Sequence, residues 1–137
     1  MMVLTVLPLV MIPLLFAQIS DRLKPKTVPR KTGMKIILKD FTVTAYCPGT
    51  CCNGFWAGMT ATGGRIEHYL QKKIKIIAVD PELIPLGSYI LYNGEKYLSA
   101  DVGGKIKGRR LDILLPSHEE TVRFGIKIKQ TVELMQK

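Results

Sequence analysis

The sequence predicts a mainly β domain: a small closed barrel of six or so short strands with one or two short helices, behind an apolar N-terminal segment. Three observations carry this. A chain of 137 residues has room for one domain and little more. From Met34 onward, short runs rich in β-branched and aromatic residues alternate with turn signals. Two of those runs flank Asn93-Gly94, the strongest short hairpin signal, because both turn residues must accept positive φ.

The elements follow in order. Lys35–Tyr46 (KIILKDFTVTAY) alternates apolar and polar residues and reads as one or two strands. Gly54–Gly64 is loop-like. Ile74–Val79 (IKIIAV) reads as a buried strand stopped by Asp80-Pro81. Ser88–Tyr92 and Lys96–Ala100 form the hairpin, and Leu111–Leu115 is a further strand. Ser117 with Glu120 three residues on makes a capping box, so Ser117–Phe124 reads as a short helix that Gly125 ends. Ile126–Leu134 alternates again as a closing strand.

Upstream of the domain the texture differs. Met1–Ile19 contains no charged side chain, at the short end for a membrane span and long for a signal-peptide core. Residues 1–20 are expected to be an export signal or membrane anchor, and a buried apolar arm is the alternative. No Lys or Arg precedes the run and a basic cluster follows it, an order opposite to that of a tidy export signal. Residues 21–38 read as a basic linker, most tether-like over Asp21–Gly33, and residues 39–137 as the domain. Seven of the twenty basic residues fall between Arg22 and Lys39, so the net charge of +9 is partly the linker's. A basic surface points to an anionic partner such as nucleic acid, anionic lipid or wall polymer. Zinc-finger spacing and the aromatic ribonucleoprotein pattern are both absent, so nucleic acid is not expected.

Three aspartates stand out. Asp80 lies in AVDPELIPLG, and Asp101 and Asp112 bound the glycine-rich, basic run ADVGGKIKGRRLDI. Each follows a short apolar or small-residue stretch, as carboxylates set at strand ends around one site would. Carboxylates gathered together raise one another's pKa, which is what a general acid needs. Each also has a structural reading. Asp80 before Pro81 can cap a turn, and Asp101 can brace its loop. Asp112, between Leu111 and Ile113, points to the opposite face from both, either lumen or cleft. Pairing with Arg109 or Arg110 would lower its pKa and defeat an acid role.

Thr60-Ala61-Thr62-Gly63, then AVDP and IPLG within Ala78–Gly87, then ADVGGKIKGRRLDI resemble the 3D domain, named for its three aspartates. That domain occurs in the membrane-bound lytic transglycosylase A family and in small secreted proteins of spore-forming bacteria. The likeness spans about residues 40–134 and implies a double-psi β-barrel that cleaves peptidoglycan glycan strands. It implies a lytic transglycosylase forming 1,6-anhydro-N-acetylmuramic acid, with Asp112 as the single acid/base, Asp101 tuning it and Asp80 completing the trio. In the family the Thr60–Thr62 loop lines the groove, where both hydroxyls would meet the aspartates or an acetamido group. Gly103, Gly104 and Gly108 would bring the backbone close to the sugar. Lys105 and Lys107 would meet muramic-acid or stem-peptide carboxylates, or simply be solvated. Trp56 would stack on a sugar face, as would Tyr46 unless it is core. The larger family enzyme has a second domain forming the far groove wall. None is evident in this sequence, so dimerisation is one way to supply that wall. Two other readings stay open: a non-catalytic polysaccharide-binding barrel, like expansin-type domains, and a structural or virion-associated component. No cofactor is expected.

Cys47, Cys51 and Cys52 cluster in CPGTCC. In an exported protein one pair, Cys47 with Cys51 or Cys52, is expected to form a disulfide and leave one free thiol. A zinc site would need His68 or His118 as fourth ligand, and the spacing departs from the common paired knuckles, so no metal is expected.

Overall fold

A computed structural model describes residues 34–135, apart from the side chain of Trp56. The segment expected to be a signal or anchor, residues 1–20, lies outside the described residues. The run Lys35–Tyr46 forms one strand, β1, of twelve residues. It starts inside the stretch read as linker, because Lys35–Leu38 pair with Val132–Met135. Its pairing with Lys127–Met135 slips register twice, between Leu38 and Phe41 and between Phe41 and Val43, and Asp40 sits at φ 61°. The remaining strands are β2 (Ile76–Ala78), β3 (Tyr89–Tyr92), β4 (Glu95–Asp101), β5 (Arg110–Leu114) and β6 (Lys127–Met135).

The six strands close into a barrel in the order β1-β5-β2-β4-β3-β6. Two pairs, β1/β5 and β2/β4, are parallel and the other four antiparallel. Closure removes the sheet edges that short strands would otherwise leave unpaired. The β3–β4 hairpin turns at Asn93 (φ 50°) and Gly94 (φ 78°), the left-handed pair that a two-residue hairpin demands.

Alternation along the strands builds two apolar layers. Phe41, Val43, Ile77, Ile90, Leu111, Ile113 and Val132 fill the barrel lumen with their neighbours. Residues of opposite parity, Tyr46, Ile76, Ala78 and Leu114, join Ala100, Ile66 and Ile106 in a smaller cluster on the outer face.

Helices are more numerous than the sequence suggests. Thr50–Asn53 (α1) and a 3-10 turn at Gly54–Trp56 shape the cysteine loop, and Ile66–Gln71 (α2) buries Ile66 against the outer cluster. Such short helices hold by packing rather than by propensity, so they leave little sequence signal. His118–Phe124 (α3) begins as expected: Ser117 Oγ accepts the backbone N–H of Glu120 at 3.3 Å. Among the described residues no helix is long and apolar enough to cross a membrane.

Candidate functional site: a two-aspartate groove on the barrel wall

Four adjacent strands, β1-β5-β2-β4, present one outer face. On β5, Leu111 and Ile113 point into the lumen, so Asp112 between them points outward. Asp101 ends β4, and a register shift in the β2/β4 pairing sets it opposite Ala78 rather than one step further along the regular ladder. A bulge of this kind re-aims a side chain. Ala78 also pairs with Asp112 on its other side. The two aspartates therefore flank one alanine whose methyl leaves the space between them open, their strands roughly 10 Å apart.

A cleft of about 580 Å³ runs along this face, bordered by Cys52, Asn53, Met59, Thr60, Ala61 and Asp101–Gly104. A second, of about 260 Å³, shares Cys52, Asn53 and Asp101–Gly104 and continues to Tyr46, Ala78, Lys105, Ile106 and Asp112. Sharing that lining, the two form one groove.

The two carboxylates live in different surroundings. Asp101 is buried and accepts three hydrogen bonds: Ala61 N–H and Val102 N–H donate to Oδ1, both at 2.9 Å, and the Tyr46 hydroxyl donates to Oδ2 at 2.8 Å. Burial, reinforced by the Asp101 charge and hydrogen bond, pushes the Tyr46 phenol far up, so it remains a donor. Among the described residues Asp112 has a single side-chain donor, the Thr44 hydroxyl at 2.7 Å on Oδ1. Thr44 stands directly opposite it in the parallel β1/β5 register. Burial raises the Asp112 carboxyl above the ordinary carboxylate range, and Asp101 adds to the rise. The Thr44 hydrogen bond and the Arg110 charge oppose it without cancelling it. Neither neighbouring arginine forms an ion pair with Asp112 among the described residues. Arg109 instead donates to the Lys39 carbonyl at 2.6 Å.

Asp80 does not join the pair. Its Oδ2 accepts the Gly108 N–H at 2.6 Å and its Oδ1 the Glu82 N–H at 3.1 Å. The Gly108 N–H, then that of Glu82, hold its carboxyl below the ordinary range. It caps its own turn and staples the glycine-rich loop, residues 102–109, to that turn. Gly108, at φ 60°, has the left-handed backbone that the staple uses. Gly103 allows a close approach, since a Cβ there would lie 2.7 Å from Ile106 Cγ1, whereas one at Gly104 would meet nothing.

The threonine hydroxyls serve the loop rather than the aspartates. Thr60 Oγ1 lies 3.0 Å from Thr62 Oγ1 and accepts the Gly64 N–H at 3.1 Å, while Thr62 Oγ1 donates to the Ala100 carbonyl at 3.0 Å. What this loop gives Asp101 is the backbone N–H of Ala61. Thr60 borders the groove, and Thr62 faces a separate hollow with Tyr69 and Tyr89. Lys105 lines the groove; Lys107 is exposed and its charge acts on Asp80. Trp56 lies on the 3-10 turn, and its side chain is outside the described residues. Thr44 and Ala78 escaped the sequence reading. Only the strand register assigns them, although Thr44-x-Tyr46 alternation hinted that both share a face.

Over residues 75–136 the sequence matches the 3D domain family. This chain carries a 3D domain. The 3D-domain chain is similar to the cell wall-binding protein YocH of Bacillus subtilis (strain 168), with 38% identity over 109 residues that cover 79% of this chain and 37% of YocH. It is also similar to the SPbeta prophage-derived uncharacterized protein YorM of the same organism, with 38% identity over 108 residues, 74% of this chain and 44% of YorM. The chain thus spans less than half the length of either relative.

The three cysteines sit together, with Cys47 Sγ 3.2 Å from Cys51 Sγ and 3.3 Å from Cys52 Sγ. The ring of His118, not His68, completes the cluster, and the four ligand atoms lie within 4.8 Å of one another.

Proposed function

We propose that this 3D domain is a peptidoglycan lytic transglycosylase of the cell envelope, with Asp112 as its single acid/base. The observation that carries the reading is the contrast within the aspartate pair: one carboxylate saturated with donors, the other raised and open to the groove. Unequal surroundings let one of two neighbouring carboxyl groups serve as the acid. Protonated Asp112 gives its proton to the glycosidic oxygen as the C1–O bond breaks. The C6 hydroxyl oxygen of the same muramic-acid residue then bonds to C1, and its proton returns to the Asp112 carboxylate. No water is consumed, so a separate general base is not needed, unlike ordinary glycoside hydrolysis. Asp101, held in place by the Tyr46 hydroxyl and the Ala61 N–H, stands beside the positive charge that develops at C1. The name of YocH supports the wall polymer as partner, as do Lys105 in the groove lining and the Arg110 charge beside Asp112.

The test is to incubate purified peptidoglycan with the wild type and with Asp112→Ala and analyse the released muropeptides by mass. The wild type is expected to release 1,6-anhydro products, and the variant to be slower by about 10²-fold or more. Reducing-end products from the wild type would make it a hydrolase. The name of YocH also favours a second reading, a barrel that binds wall polymer without cutting it. Equal sedimentation of both proteins with peptidoglycan, without products, would select that reading.

A further inference from the structure

Three thiols and one imidazole converge beside the groove, and the aspartate chemistry uses none of them. Cys47 follows β1, Cys51 and Cys52 lie on α1, and His118 opens α3. Besides the two contacts of Cys47, Cys51 Sγ is 4.0 Å from Cys52 Sγ, and His118 Nδ1 is 3.6 Å from Cys51 Sγ and 3.9 Å from Cys52 Sγ. A tetrahedral zinc ion with bonds of about 2.3 Å to sulfur and about 2.0 Å to nitrogen sets its sulfurs about 3.8 Å apart and sulfur about 3.5 Å from nitrogen. The three sulfur–sulfur distances fall on both sides of the first value, and the two sulfur–nitrogen distances lie slightly above the second. We propose that Cys47, Cys51, Cys52 and His118 bind one structural zinc ion.

The backbone is shaped for this convergence. Cys52 N–H and Asn53 N–H both donate to the Gly49 carbonyl, at 3.2 and 3.1 Å, and Asn53 Nδ2 donates to the Cys47 carbonyl at 2.8 Å. The loop folds back over Gly49, where a Cβ would come within 3.3 Å of Cys51 Sγ and 3.6 Å of Cys47 Sγ. The donor set is soft: three thiolates and an imidazole favour zinc over calcium or magnesium, which take oxygen ligands. A disulfide would use two of the four groups and leave the third thiol and the imidazole converging on nothing. Four protein ligands close the coordination sphere, which makes the site structural rather than catalytic. Its consequence is local order. Cys52 and Asn53 line both parts of the groove, so the ion ties that wall to the start of α3.

The site stands independently of the proposed lyase activity, and metal content tests it. Full-length protein, purified with reductant in zinc-containing buffer, is expected to hold one zinc per chain by elemental mass spectrometry. Cobalt exchanged into it is expected to give thiolate charge-transfer bands and the intense visible bands of a tetrahedral ion. His118→Ala, altering an exposed side chain, is expected to weaken zinc binding about tenfold or more. Cys51→Ser/Cys52→Ser is expected to lose stoichiometric zinc while circular dichroism reports the barrel intact. A wild type that takes up no zinc, an intact mass showing a disulfide in the reductant-purified chain, or unchanged affinity in His118→Ala would each overturn the proposal. None of these results bears on the muropeptide assay.

Discussion

Thr44 is the residue on which the proposed acid depends most directly. Among the described residues its hydroxyl is the only side-chain donor to Asp112, and a hydrogen bond to a carboxylate favours the charged form. Thr44→Val keeps the shape of the side chain and removes the donor. The Asp112 carboxyl then rises further, and the protonated form that starts the reaction persists to higher pH. The basic limb of the kcat/KM profile on peptidoglycan is therefore expected to move upward in the variant. An unmoved limb would mean that Asp112 is not the group whose protonation the reaction needs. Asp101 shows the converse arrangement, with three donors on one carboxylate. Both aspartates were legible in the sequence as candidates, and Asp112 as facing away from its two neighbours, because alternation around Leu111 and Ile113 is a strictly local property. The resemblance implied unequal roles for them, but their unequal surroundings were not legible, because Tyr46, Thr44 and the Ala61 N–H are far from them along the chain.

At the scale of elements, the loop of residues 102–109 is held by a carboxylate that the sequence offered as catalytic. Asp80 is lowered by the N–H groups of Gly108 and Glu82, so its contribution to stability is fully present above the ordinary carboxylate value of 3.8. That contribution is lost as pH falls through the lower folded value. In Asp80→Asn the amide turns an N–H donor toward one of the two backbone N–H groups. The variant is expected to melt below the wild type at neutral pH, with the gap narrowing on acidification below 3.8, measured by thermal unfolding across pH. A constant gap would place the effect in packing instead of in charge. The elements most legible in the sequence were those with self-contained signals: the Asn93-Gly94 turn and the Ser117 cap. The least legible was α2, whose six residues gain their order from burying Ile66 under the outer cluster.

Across the whole molecule, closure of the barrel makes the lumen a single packed unit. Leu111 and Ile113 lie in it fully buried, one on each side of Asp112 in sequence. Leu111→Ala is expected to cost about 2–5 kcal/mol in a denaturant titration, since the surrounding strands can collapse only partly onto the cavity. A loss under about 1 kcal/mol would mean that the lumen repacks more freely than a closed barrel allows. The sequence by itself determined the barrel class, the hairpin, the capped helix and that Asp112 faces away from Leu111 and Ile113. Alternation, turn chemistry and caps act within a few residues of chain, so they are written locally. Only the tertiary structure decided which carboxylates meet, and that Asp80 stays with its loop. It also decided that Thr44 faces Asp112 and that His118 meets three cysteines more than sixty residues earlier. Those pairings depend on strand order, parallel register and one bulge, which arise only when the barrel closes.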